Sequence, residues 1–149
     1  MRTASCGLLV VLLTCGGCNE PPPEIVAVEG TVTVNGDALP NAEVSFVPMA
    51  EGLSAEYIAM AVTDQDGKYA LTTGDQDGAC ACEHKVVLVE GPPPNGERVQ
   101  TQEGFQQLKR LRAQLKNRPI PEEYTSVSQT PLSVTVTPEQ QVYDLALQR

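Results

Sequence analysis

The chain has 149 residues, a length that suits one domain, and 41% of them are hydrophobic, with two Phe, four Tyr and no Trp. Its core must therefore rest on Val, Leu, Ile and Ala. The formal charge of −9 disfavours a nucleic-acid partner, and a single His leaves little material for catalysis.

The first residues, MRTASCGLLVVLLTCGGCN, combine a short basic start at Arg2 with an apolar run from Gly7 to Thr14. That run is too short to span a bilayer as a helix and suits a secretory signal. The small-residue stretch that follows ends in Cys and resembles a bacterial lipoprotein signal. Cys18, preceded by Gly16 and Gly17, is the expected lipidation site; Cys15, with Thr14 before it, is the less suited one. Cys15 also stands where such signals usually carry Leu, a departure from the pattern. The expected division is a signal peptide at 1–17, a Pro-rich tether at 18–24 and a domain at 25–149. Cleavage before Cys18 would remove Arg2 and no acidic residue, so the processed chain would be more acidic still. Acyl chains would hold it to a membrane surface without a transmembrane helix.

The domain begins with IVAVEGTVTV (25–34), which alternates from Val28 and carries Gly30 as an expected bulge or bend. Asn35-Gly36 is a hairpin-turn signal. Further strands are expected at Ala42 to Val47, Tyr57 to Thr63, Tyr69 to Thr72, Lys85 to Glu90, Leu132 to Thr137 and Val142 to Leu147. Seven short strands separated by turns point to an antiparallel β-sandwich. Val32, Val34, Val44, Phe46, Tyr69, Leu71, Val87, Leu132, Val134, Val136 and Leu145 are its expected core.

One segment, 91–118, breaks the β pattern. GPPPNG (91–96) is a rigid linker, and within 103–117 Phe105, Leu108, Leu111 and Leu115 recur at helical steps. This predicts an inserted amphipathic helix that ends before Pro119. Its apolar stripe would pack on a sheet face or cover a sheet edge. Its basic face, with Lys109, Arg110, Arg112 and Lys116, is the candidate surface for a protein partner or the membrane.

Asp-Gln-Asp-Gly occurs twice, at 64–67 and 75–78. A calcium loop of the EF-hand type needs Gly at its sixth position and Glu at its twelfth. Counted from Asp64 these are Tyr69 and Asp75, and counted from Asp75 the twelfth is Val86. Both copies therefore read as turns. Cys80, Cys82 and His84 form a different pattern, C-A-C-E-H. If extended, they share one strand face and offer three soft ligands for zinc or copper, with Asp75 or Asp77 as a fourth. The two thiols could equally be free or bridged.

Taken together, GTVTVNGDALPNAEVSFVP (30–48), AVTDQDGKYALTTG (61–74), HKVVL (84–88) and IPEEYTSVSQTPLSVTVT (120–137) resemble the carboxypeptidase regulatory-like domain found in many short lipoproteins of planctomycete bacteria. The resemblance implies a seven-stranded transthyretin-like, immunoglobulin-like sandwich in a secreted or surface setting, without enzymatic activity. It also implies that Thr-Asp-x-x-Gly-x-Tyr marks a tight hairpin at 63–69, and that His84 stands where such domains usually carry Tyr.

Enzymatic readings find little support. A transthyretin-fold hydrolase needs several His and Arg residues, and a metallocarboxypeptidase needs a far longer chain with His-x-x-Glu. No G-x-S-x-G nucleophile motif occurs. The expected protein is thus a non-catalytic lipoprotein of the cell envelope, facing the periplasm or exterior. It binds no cofactor, it meets the membrane through its lipid, and its other partner is another envelope protein. The alternative is a metal-binding or redox module built on Cys80, Cys82 and His84.

Overall fold

The structure, a computed structural model, describes residues 23–91, 102–114 and 118–149. The expected signal peptide, Cys15, Cys18, residues 18–22 of the tether, the linker past Gly91 and residues 115–117, with Leu115 and Lys116, lie outside the described residues.

The protein is all-β, built mostly of antiparallel sheets with little helix. Twelve strands appear among the described residues: β1 (Ile25–Val26), β2 (Glu29–Val34), β3 (Asp37–Ala38), β4 (Ala42–Pro48), β5 (Ala59–Val62), β6 (Lys68–Ala70), β7 (Thr72–Thr73), β8 (Gln76–Asp77), β9 (Ala79–Cys80), β10 (Glu83–Glu90), β11 (Ser133–Thr135) and β12 (Leu145–Leu147). The expectation of seven is therefore corrected. The added strands are two-residue pieces, and the expected strand from Tyr69 to Thr72 is split. Lys68–Ala70 pairs with β2, whereas Thr72 pairs with Met60 of β5, so the chain changes sheets at Leu71. A helix, α1 (Gln102–Gln114), follows β10 and lies within the expected insertion.

One sheet runs β11-β10-β4-β5-β7-β8 and a second runs β12-β2-β3, with β6 also on β2; β1 and β9 form a short pair of their own. The Asn35-Gly36 turn forms as expected, both residues at positive φ (52° and 95°), and returns the chain to pair Thr33 with Ala38. Asn41, at φ 54°, then lets the chain leave that sheet for the other. The last strand departs from the antiparallel expectation. β12 lies parallel to β2, with Leu145 opposite Val32 and Leu147 opposite Val34.

The core draws on both sheets. β4 alternates, with Ala42, Val44 and Phe46 buried, and the Phe46 ring meets Tyr69 of β6 and Tyr143 at centroid distances of 6.3 and 6.4 Å. In β10 the buried residues are His84, Val86 and Leu88, because Val86 pairs with Phe46 and Leu88 with Val44. The expected burial of Val87 is therefore off by one position, which turns its side chain to the opposite face. Val34, Leu132 and Val134 are only partly buried against the core. Gly30 is not a bulge either, since β2 continues in register through it. A side chain there would collide with the Tyr143 carbonyl, to which the Tyr69 hydroxyl donates at 2.6 Å. The glycine lets the C-terminal segment lie directly on β2.

Candidate functional site

Cys80, Cys82 and His84 are brought together, but not by a continuous strand. Cys80 ends β9 and His84 is the second residue of β10; between them the chain bends at Ala81 and Cys82. The bend is tight, with the Cys82 amide donating to the Cys80 carbonyl at 2.9 Å. It is held from both sides: the Ala81 amide donates to the Glu24 carbonyl, and the Val136 amide to the Cys82 carbonyl. Ile25, the first residue of β1, pairs with Cys80. The cluster therefore lies beside Glu24 and Ile25, at the start of the described domain.

The three donor atoms converge closely. The two Sγ atoms are 3.0 Å apart, and His84 Nε2 is 3.6 Å from Cys80 Sγ and 3.4 Å from Cys82 Sγ. A disulfide has its sulfurs about 2.0 Å apart, so both cysteines are free thiols in contact. Cys80 and His84 are 0% exposed, while Cys82 is half-buried and forms the open side. His84 Nε2 donates to the Cys80 carbonyl at 2.8 Å, and Nδ1 is buried without a hydrogen-bond partner. The Phe46 ring packs on the imidazole at 5.7 Å.

The electrostatics follow from this burial. Desolvation pushes the Cys80 thiol up to about 12, and the adjoining Cys82 adds to the rise. Desolvation also lowers the His84 pKa below the ordinary imidazole value, against the opposing pull of the Cys80 and Phe46 carbonyls. At neutral pH the site holds a protonated Cys80 thiol and a neutral imidazole. Such a set resists reaction as a nucleophile, yet each donor accepts a soft metal once its proton leaves.

The other expected site residues stand apart. Asp75 and Asp77 are exposed on the β7–β8 hairpin and are not among the donors that lie within 4.8 Å of one another. They correct the expectation of a fourth ligand from that turn. Asp64 serves the backbone: its Oδ1 accepts from the Asp66 and Lys68 amides, both at 2.9 Å, and Gly67 follows at φ 74°. The turn is thus the expected Asx-turn, but it carries the chain from β5 to β6 in different sheets and does not close a hairpin between paired strands. Lys109 and Arg110 are exposed on α1. The side chains of Phe105, Leu108, Leu111 and Arg112 lie outside the described residues.

One contact escaped the sequence reading. Arg118 binds Glu90 through two hydrogen bonds, 3.0 and 2.8 Å, so the last residue of the expected 91–118 insertion is clamped to the residue before its first. Nothing local links a glutamate to an arginine 28 residues on. No helix among the described residues is long and apolar enough to cross a membrane. The chain matches no protein family, no curated protein and no solved structure.

Proposed function

We propose that this chain is a non-catalytic lipoprotein of the cell envelope. Its signal peptide is removed before Cys18, and its domain is a transthyretin-like β-sandwich of the carboxypeptidase regulatory-like type. It binds or presents to another envelope component by contact. The all-β architecture and the Asx-turn at Asp64 support the fold reading. The observation that carries the binding role is an exposed loop that starts beside β10, where the Met49 amide donates to the Glu83 carbonyl at 2.9 Å. The 49–55 loop is exposed along its length except at Leu53, and its first residue, Met49, is an apolar side chain at 49% exposure. The basic side chains of Lys109 and Arg110 supply a second exposed surface. Pro23 and Glu24 lead straight into β1, so the domain would stand close to its anchor.

In-cell crosslinking with mass spectrometry tests this reading, comparing the full chain with a version lacking residues 103–117. The expected result is a discrete envelope partner captured by the full chain, its yield reduced by the deletion or by Met49→Asp. The N-terminal peptide should begin at lipidated Cys18. An N-terminal peptide without lipid, or no captured partner in either version, overturns it.

A further inference from the structure

We propose that Cys80, Cys82 and His84 form a binding site for a soft d10 metal ion, Zn2+ or Cu+, held by two thiolates and the His84 Nε2 atom. The site goes beyond the envelope-protein reading and does not depend on it.

The donor geometry is close to what such an ion needs. With metal–sulfur bonds of about 2.3 Å and a metal–nitrogen bond of about 2.0–2.1 Å, a tetrahedral centre places sulfur and nitrogen about 3.5 Å apart and two sulfurs about 3.8 Å apart. The two sulfur–nitrogen distances, 3.6 and 3.4 Å, already fit. The sulfur pair, at 3.0 Å, must open by roughly 0.8 Å to match that geometry. Cys82 is placed to make this movement, because it is half-buried and on a bend, whereas Cys80 is enclosed.

Simple packing explains the cluster poorly. Val or Ala would fill the same core positions without two thiols in contact and without a buried imidazole whose Nδ1 has no partner. Metal binding changes the proton arrangement. Nε2 would surrender its proton and its bond to the Cys80 carbonyl, and the ring proton would move to the unpartnered Nδ1.

The charge balances. A divalent ion with two thiolates and a neutral imidazole is neutral overall and releases both thiol protons. A monovalent ion leaves one negative charge. Three protein donors satisfy Cu+ directly; Zn2+ takes a fourth ligand from water on the Cys82 side.

The test uses the full chain, purified anaerobically and fully reduced, with both thiols confirmed by mass. It is titrated separately with Zn2+ and with Cu+ against a competing chelator. The expected result is one ion per chain for at least one of the two metals. X-ray absorption should report two sulfurs and at least one nitrogen in the first shell, and 15N NMR should show the His84 proton transferred to Nδ1. Cys82→Ser, at the half-exposed position, should weaken binding about 100-fold or more with its metal-free unfolding little changed. His84→Gln should weaken it comparably. Zn2+ binding with an added oxygen ligand identifies the four-coordinate form; Cu+ binding without one identifies the three-coordinate form. The site is overturned if the reduced chain binds neither ion at one per chain. It is also overturned if Cys82→Ser binds as tightly as the unaltered chain, or if the first shell contains fewer than two sulfurs.

Discussion

Residues 64–67 and 75–78 are the same four letters, Asp-Gln-Asp-Gly, and the protein folds them in two different ways. In the first copy Asp64 organises the turn by accepting two backbone amides, and Gly67 supplies the positive φ inside it. In the second, the turn begins one residue early. Gly74, at φ 59°, and Asp75 form a two-residue hairpin, with Thr73 paired to Gln76 and Thr72 to Asp77. Its Asp77 is a strand residue, and Gly78, at φ 117°, packs against the Val26 carbonyl. The difference comes from what surrounds each copy. A glycine directly before the second repeat permits the tight hairpin; Thr63 before the first has its side chain committed to the core, donating to the Leu39 carbonyl and accepting from the Ala42 amide.

Substitutions in the two copies should separate these roles. Gly78→Ala should be the most damaging, costing more than about 3 kcal/mol, because a methyl there meets the Val26 backbone at an unfavourable φ. Gly67→Ala should cost about 2–3 kcal/mol, since its methyl would stand 2.6 Å from the Val32 carbonyl oxygen at φ +74°. Urea unfolding of both variants measures the order; equal losses would mean that the two glycines do the same job. Asp64→Ala should cost about 1–2 kcal/mol through its two lost amide bonds. Asp75→Ala should stay within about 0.5 kcal/mol, because backbone pairing holds its turn. A large loss at Asp75 would reverse the comparison.

Between the effects of Asp64 and Asp75 lies a dependence on pH. Each repeat is followed two residues after its glycine by a buried weak acid, Tyr69 after the first and Cys80 after the second, and desolvation raises both. A raised pKa stabilises the fold fully below the unfolded value and loses that contribution as pH climbs above it. Stability should therefore decline on the order of 1 kcal/mol per pH unit above about pH 8.5, where unfolded Cys begins to ionise, and more steeply above about pH 10 as Tyr69 joins. His84 acts at the other end. Its lowered pKa favours the fold above the unfolded value, so stability should also fall below about pH 6.5. Thermal unfolding across pH measures both limbs. Cys80→Ala should remove the first part of the alkaline decline and leave the part due to Tyr69.

Much of the strand pattern was legible because alternation and turn chemistry are local. AEVSFV alternates, and β4 buries Ala42, Val44 and Phe46 accordingly. KVVLV does not alternate, so the same reasoning could not choose its phase and placed Val87 inward. Pairing with Phe46 and Val44 settled the phase on Val86 and Leu88, and with it the full burial of His84. The candidate site was legible as three donors in order, but its form was not. An extended strand would have put the donors on one face; the Cys82–Cys80 backbone bond curls the chain so that their tips meet.

From the sequence alone the turns at Asn35-Gly36 and Asp64 to Gly67 and the apolar face of an alternating strand such as AEVSFV could be read. The second Asp-Gln-Asp-Gly, by contrast, read as a turn at 75–78, turns at 74–75 with Gln76–Asp77 in a strand. Side-chain size, positive-φ residues and two-residue alternation act over a few positions and need no distant partner. Only the tertiary structure decided that β12 runs parallel to β2, that the chain crosses between sheets at Leu71, that Glu90 holds Arg118, and that Cys80, Cys82 and His84 share one pocket. Those outcomes depend on hydrogen bonds and packing between segments far apart in the chain, whose pairing no local pattern specifies.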